Sequence, residues 1–202
     1  MELPRFAELL LRQLDSIVSL SPAQISSLHS HFELLLKWNQ RINLTSVRSS
    51  EEIITRHYCE SIFFGVHLPD APDGSRILDL GSGAGFPGVP MAVLRPGWGI
   101  TLLESHQRKA VFLRESTRGW SNVSVAAQRI EAVSARFDWL VSRAVKLEDV
   151  LGAIPRVSSQ VGLLISEADR SGLRQQPDIA WDDPLRVPWG EHRICVFGHC
   201  SA

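Results

Sequence analysis

Three alternating glycines in the segment Asp79-Leu-Gly-Ser-Gly-Ala-Gly-Phe-Pro-Gly88 leave few folds open to this chain. The segment follows a short apolar run, Arg76 to Leu80, and precedes a helical pattern. Glycine is needed where backbone turns through positive φ or closely approaches a ligand. A strand that ends in such a loop and then opens a helix presents free N–H groups to a bound molecule. Two cofactor classes use loops of this kind. Gly83-x-Gly85-x-x-Gly88 satisfies the dinucleotide fingerprint, whereas Asp79-x-Gly81-x-Gly83-x-Gly85 is the acidic-glycine loop of enzymes that bind S-adenosylmethionine. Position relative to the strand separates them: counting from Gly83 leaves Gly81-Ser82 as unexplained loop, and counting from Gly81 leaves nothing over. A carboxylate at Asp79 would repel a pyrophosphate but suits a cofactor carrying a sulfonium and an ammonium. Asp79, Gly81, Gly83 and Gly85 are therefore candidate cofactor residues. Glu104, at the end of the next strand pattern, is placed to accept from both hydroxyls of a ribose, which either cofactor carries.

Around this loop the hydrophobic period changes once. Phe6, Leu9, Leu10, Leu14, Ile17 and Val18 recur at helical spacing and predict a helix over 4–18. Ser21-Pro-Ala-Gln24 reads as a capping box with proline at the first helical position, and Ile25, Leu28, Phe32, Leu35 and Trp38 form the stripe behind it. Ser49-x-x-Glu52 repeats the capping pattern for a third helix running to about Phe64. Leu68 to Gly74 is a turn-rich linker. Beyond it lie strand candidates at Arg76–Leu80, Ile100–Leu103, Val123–Ala126, Trp139–Ser142, Val161–Ile165 and Arg193–Phe197, mostly separated by helical patterns. That alternation predicts an α/β fold with a doubly wound, mostly parallel sheet behind an N-terminal helical cap: residues 1–68 the cap, 69–202 the core. Residues 177–191, with three prolines, predict a loop and a hairpin strand late in the sheet.

With 202 residues, 44% hydrophobic and 21% charged, the chain can bury a full core without disulfides. Its three cysteines, Cys59, Cys195 and Cys200, include no C-x-x-C pair and fit a reducing cytoplasm. Charges at Glu2, Arg5, Glu8, Arg12 and Asp15 interrupt the N-terminal apolar run, so no targeting or membrane segment is expected. His192, Cys195, His199 and Cys200 match no metal-ligand spacing, and strand alternation would split them between two faces; no metal is expected. A net charge of −1 excludes a histone-like grip on nucleic acid but not local basic faces.

Several segments together resemble one family, the bacterial 16S ribosomal RNA guanine-N7 methyltransferases, also called glucose-inhibited division protein B. They are Lys37-Trp-Asn-Gln-Arg-Ile-Asn-Leu-Thr-Ser-Val-Arg48, Arg56-His57 with Ser61, the glycine loop, Leu102-Leu-Glu-Ser105, Lys109 to Arg114, and Ser142-Arg143-Ala144. The resemblance is close over residues 34–144 and loose elsewhere. It implies a seven-stranded, mostly parallel, Rossmann-like methyltransferase sheet and S-adenosylmethionine as cofactor. It further implies that Gly81 and Phe86 line the cofactor pocket, Glu104 holds the ribose, Ile130 and Glu131 flank the adenine, and Arg143 closes the site. The partner would be 16S ribosomal RNA or the small ribosomal subunit, met by a monomer. Two departures stand out: Glu60 where the family has aspartate, and Ser166-Glu167 where it has Lys-Gly after the fifth strand.

The motifs that are missing agree with N7 chemistry. Ser142-Arg143-Ala144-Val145 lacks the Pro-Pro-aromatic element that orients an exocyclic amine, and no cysteine lies near the glycine loop in sequence to add to a cytosine ring. Guanine N7 carries a lone pair and no proton, so proximity and orientation suffice. No catalytic base is expected and none is named. Arg143 could pair with the cofactor carboxylate, donate to the target guanine or a phosphate, or simply end a strand. Arg41, Arg48, Arg56 and His57 form one basic cluster and Arg108 and Lys109 part of another, either of which could grip RNA phosphate or be a solvated helix face. Asn39, Asn43 and Thr45 read first as caps. Two other functions fit less of the sequence: a nicotinamide-dependent oxidoreductase, for which Tyr58 is the sole tyrosine, and a non-catalytic RNA-binding protein that retains the cofactor pocket.

Overall fold

The computed structural model describes residues 1–173, 178–190 and 192–200. Helix α1 (Leu3–Leu14) is shorter than its apolar pattern: the chain turns after Leu14, where the Ile17 and Val18 N–H groups both close back onto the Leu14 carbonyl. Helix α2 (Pro22–Asn39) starts as predicted, with Ser21 and Gln24 making both bonds of a capping box. The Gln24 amide also donates to the Val93 carbonyl, fastening the start of this helix to the core.

The third helix is not continuous. Ser49 caps α3 (Ser50–Ile53), a π-helical segment occupies Ile54–Cys59, and α4 follows (Glu60–Val66). A π turn inserts residues into the helical period. Here it keeps Ile53, Ile54, Tyr58, Cys59, Ile62 and Phe63 all buried, a run too wide for one stripe of a regular helix.

The strands β1 (Arg76–Leu80), β2 (Gly99–Leu103), β3 (Val123–Ala126), β4 (Trp139–Arg143) and β5 (Gln160–Ser166) pair in parallel in the order β3-β2-β1-β4-β5. Helices α5 (Gly88–Leu94), α6 (Gln107–Ser116) and α7 (Leu147–Val157) follow β1, β2 and β4. Beyond β5 a short α8 (Arg170–Leu173) leads towards β6 (Ile179–Trp181) and β7 (Leu185–Arg186). The last strand, β8 (Arg193–Cys200), inserts antiparallel beside β5, and both β6 and β7 pair with β8. The eight strands thus occupy seven ranks, the outermost broken in two at Asp182–Pro184, where proline has no N–H to continue the ladder. The part of the expected 177–191 loop at Pro177 and Glu191 lies outside the described residues.

Residues 1–68 and one face of the sheet share a single hydrophobic cluster, running from Phe6, Leu28 and Tyr58 to Ile77, Phe112, Trp139 and Phe197. The opposite face packs Leu78, Leu140 and Leu163 against Val150, Ile154 and Val157 of α7. Strand order reverses between β1 and β4, and in open α/β sheets the ligand crevice lies at the carboxyl ends of the strands at that switch point. Among the described residues no helix is long and apolar enough to cross a membrane.

Candidate functional site

At the carboxyl end of β1 the backbone leaves the sheet through Gly81, Gly83 and Gly85, all at positive φ. The Gly81 and Ser82 N–H groups both donate to the Leu103 carbonyl, so the loop stays tied to β2 as it turns. Asp79 is fully buried and its Oδ2 accepts from the Gly88 N–H at 3.0 Å, at the first residue of α5. The close approach needs glycine at 88, since a Cβ there would lie 2.6 Å from that oxygen. Glu104 clamps the other side: its Oε2 accepts from the Gly83 N–H at 3.0 Å and its Oε1 from the His106 N–H at 2.7 Å. Both acidic residues singled out in the sequence therefore brace the loop.

Burial pushes the Asp79 carboxyl up to about 7, with the Gly88 N–H pulling the other way. An unfolded aspartate ionises near pH 4, so from about pH 4 to 7 the unfolded chain has released a proton that the native state keeps. Stability from this group is full at low pH and is lost as pH rises through the window. Asp79→Asn keeps an acceptor for Gly88 and removes the ionisation. Urea unfolding should then show the wild type losing on the order of 2 kcal/mol more than the variant between pH 4 and 7. Parallel pH curves would show that the carboxyl is ionised in the native state.

The loop opens on a cleft of about 250 Å³ lined by Leu80, Gly81, Leu103, Ser105, Gln128 to Glu131, Val145 and Asp149. Gly81, Ile130 and Glu131 are thus brought together. Asp79, Gly83, Gly85, Glu104 and Arg143 are not among the lining residues, and neither is Phe86. It turns into an aromatic cluster under the cap, stacked on His57 with centroids 4.9 Å apart and edge-on to Tyr58 and His31. His31 Nδ1 lies 2.6 Å from the Tyr58 hydroxyl. Burial holds the His31 imidazole down to about 4, and burial with the nearby Arg143 charge holds His57 down to about 3. Both are neutral near pH 7. His57 Nε2 bonds the Thr45 hydroxyl at 2.7 Å, so this residue packs between cap and loop as an uncharged group.

Arg143 ends β4 and is only 8% exposed; its guanidinium meets the fully buried Glu60 carboxylate at 2.9 Å without the alignment of a hydrogen bond. Burial draws the Arg143 guanidinium down to about 10, still charged at neutral pH, and draws the Glu60 carboxyl up against the pull of Arg143, Arg193 and Arg56. The pair was not legible in the sequence. Its one signal is an acid set among the apolar residues Tyr58, Cys59, Ile62 and Phe63. After Arg143 the chain passes Ala144, at φ +60°, and reaches Val145 in the cleft wall.

Of the basic residues, Arg41 and Arg108 come together with Lys37 around a separate groove of about 340 Å³ floored by Trp38, Ile42 and Val111. Lys109 and Arg48 lie outside that lining, half-buried and exposed. Arg56 is exposed and ion-paired with Glu52. Asn39 acts as a cap: its Oδ1 accepts from the Leu44 and Thr45 N–H groups and its amide donates to the Thr45 carbonyl.

A sequence model of the family described as rRNA small subunit methyltransferase G matches residues 24–163. The protein named ribosomal RNA small subunit methyltransferase G of Nitrosococcus oceani is 37% identical over 158 residues, covering 76% of this chain and 72% of the relative. Its namesake in Nitrosomonas europaea is 46% identical over 123 residues, 59% of this chain and 56% of that one. A SAM-dependent methyltransferase of Aquifex aeolicus superposes with a TM-score of 0.59 at 12% identity, over 84% of this chain and 98% of that chain, a likeness of fold. The glycine loop at the switch point, the fold around it and the match over most of the chain agree: this chain belongs to the rRNA small subunit methyltransferase G family.

Proposed function

We propose that this chain transfers the methyl group of S-adenosylmethionine to N7 of a guanine in 16S ribosomal RNA, with the cofactor in the cleft at Gly81. The observation that carries the reading is the positive-φ glycine loop opening onto a cleft at the β1/β4 switch point. The residues present fit the group. A Cβ on Gly81 would stand 2.3 Å from Val145 Cγ2, so only bare backbone leaves that wall open, and Arg143 keeps a buried Nη1 without a partner among the described residues. In this reading Asp79, Gly83 and Gly85 shape the cradle, Ile130 and Glu131 flank the adenine, and Glu104 reaches the ribose. Phe86 supports the loop from behind.

When bound, the cofactor supplies a methyl group on a sulfonium whose departure leaves a neutral thioether. The guanine N7 lone pair forms the new bond and no proton moves, so the protein's task is orientation. The neighbouring groups suit that task and not its rivals. His57 is neutral, and burial pushes the Cys59 and Cys195 thiols well above their ordinary range, which disfavours attack on a cytosine ring by a thiolate. Tyr58 is fully buried against His31, so the sole tyrosine is no proton donor for a hydride-transfer site.

The groove at Lys37, Arg41 and Arg108 then serves as an outlying grip for RNA, cationic at its rim and apolar at its floor. The test is transfer of labelled methyl to small subunits lacking the modification, and to their deproteinised RNA, with the labelled base identified after digestion. N7-methylguanine is expected. No label, from protein that binds S-adenosylhomocysteine in a separate titration, would reject the reaction and leave a binding role.

A further inference from the structure

The groove where the end of α2 meets the start of α6 is lined by Lys37, Trp38, Arg41, Ile42, Arg108 and Val111, three cations and no acid. None of the three cationic side chains makes a hydrogen bond or ion pair among the described residues. The single acid of α2, Glu33, faces His29 at 3.9 Å, and the single acid of α6, Glu115, lies about two turns beyond Arg108. The positive charge is therefore left uncompensated by the groove itself. Its floor has the opposite character. Val111 is 48% exposed although the adjoining Ala110, Phe112 and Leu113 are buried, and Trp38 is half-buried, edge-on to Phe112 with centroids 5.9 Å apart. The wall is fixed by backbone: the Arg41 and Ile42 N–H groups both donate to the Trp38 carbonyl at 2.9 Å, and the Asn39 cap holds the chain just beyond them.

This lining narrows the occupant. A phosphate by itself has no use for an apolar floor, and a duplex keeps its base faces stacked inside. An unpaired nucleotide brings a flat apolar base and a charged phosphate together. At about 340 Å³ the groove is near the lower end of the range for small-ligand sites, about 300–1,000 Å³, a size for one nucleotide and not for a helix. The groove also borders the cofactor cleft. Ser105 in the cleft wall and Arg108 in the groove are three residues apart where the chain leaves β2, at most about 11 Å along the backbone. A stacked strand advances about 3.4 Å per nucleotide, so the near edges of the two sites are about three nucleotides apart.

We propose that the groove takes an unpaired nucleotide flanking the target guanine, its base stacked on Trp38 against Val111 and its phosphate held by Arg41 and Arg108. The proposal rests on the RNA-methylating function proposed above and gives the outlying grip its ligand, single-stranded RNA bound by stacking as well as by charge. Trp38 and Arg108 are in these terms positioning residues: they hold the strand beside the cleft and touch neither the methyl group nor N7.

The experiment titrates oligoadenylate and an abasic oligoribonucleotide of the same length into the full chain over a range of salt. The wild type should bind oligoadenylate about 10-fold more tightly than the abasic strand, the effect of one base stacked on an aromatic ring. Trp38→Leu should erase most of that preference while leaving the abasic affinity and the salt slope unchanged. Arg108→Gln should do the converse, weakening both strands alike and making the salt slope shallower by about 0.7, one phosphate contact on a single strand. Val111→Asn, at a position already open to solvent, should cut the preference about 3-fold, and it carries the test if Trp38→Leu lowers Tm. Arg118→Gln, exposed beyond the other end of α6, is the control for lost charge and should match the wild type. With deproteinised small-subunit RNA as substrate, Trp38→Leu should raise the KM for RNA about 10-fold at unchanged S-adenosylhomocysteine affinity. A wild type without preference for bases would overturn the proposal, as would equal losses on both strands in Trp38→Leu or an Arg108→Gln that behaves like Arg118→Gln. So would normal RNA binding with a loss confined to methylation of intact subunits, the sign of a groove that meets a ribosomal protein. If the wild type makes no N7-methylguanine, the reaction assignment fails on its own, while the oligonucleotide titrations still decide what the groove holds.

Discussion

Replacing Arg143 by methionine should lower methyl transfer at least 100-fold and also destabilise the fold by about 3–5 kcal/mol, the usual cost of leaving one partner of a buried ion pair behind. Glu60 is completely buried and neither of its oxygens has a hydrogen-bond partner among the described residues, so without Arg143 the carboxylate keeps its desolvation cost and loses its nearest cation. For a chain of this size each kcal/mol moves Tm by about 2–4 °C, which makes the expected fall about 10 °C. The carboxyl would respond by binding a proton, so the variant's deficit should grow as pH rises, the sign expected of an acid whose native pKa is raised. The double variant Glu60→Gln with Arg143→Met removes both charges and should regain most of the lost Tm, since a buried pair contributes little net stability over uncharged groups of similar size. Methyl transfer should stay low in the double variant. Recovery of activity together with Tm would reduce Arg143 to a structural role, and a single variant with wild-type Tm would show that the pair is solvated in solution.

A similarly large effect is expected at Gly81, and the comparison with Gly83 makes it specific. Both residues have positive φ, +72° and +56°, so alanine at either carries the left-handed penalty of about 1–2 kcal/mol. The space around them differs. A Cβ on Gly83 would find its nearest neighbour, the Gly81 carbonyl oxygen, at 3.8 Å, whereas a Cβ on Gly81 would lie 2.3 Å from Val145 Cγ2 in the wall of the cleft. Gly81→Ala should therefore weaken S-adenosylhomocysteine binding at least 100-fold by calorimetry, and Gly83→Ala by about 10-fold or less. Equal losses would mean that loop strain alone controls affinity. No loss at Gly81 would move the cofactor out of this cleft.

The same contrast between local and distant information runs through the molecule. The capping box at Ser21, the side-chain cap at Ser49, the six strand cores and the order of glycines were readable because each depends on residues within one turn or one strand of each other. The π segment at Ile54–Cys59 was not. A continuous capped helix and a helix with an inserted π turn share nearly the same apolar spacing, and burial on two sides decides between them. The outer strand falls in the stretch that the sequence reads as a loop and a hairpin strand, but its break into two pieces escaped for a related reason. Runs of three and two residues carry too little alternation to be seen, and β6 and β7 are defined by what they pair with. His57 changed character altogether: a basic residue in a basic cluster by sequence, it is a neutral imidazole stacked on Phe86 in the structure.

By itself the sequence determined the α/β alternation, the helix starts, the glycine loop and its ligand class by strand register, and the family. The family comes from the resemblance of whole motifs; the rest follow from backbone preferences and from hydrophobic periods of about two and 3.6, which act over a few residues. Only the tertiary structure decided that Asp79 and Glu104 brace the loop from within, that Glu60 meets Arg143, and that Arg193 comes to stand opposite Ser166. Those pairings join segments distant along the chain, and they are selected by which surfaces must be buried together once the sheet has closed, a condition that no local pattern encodes.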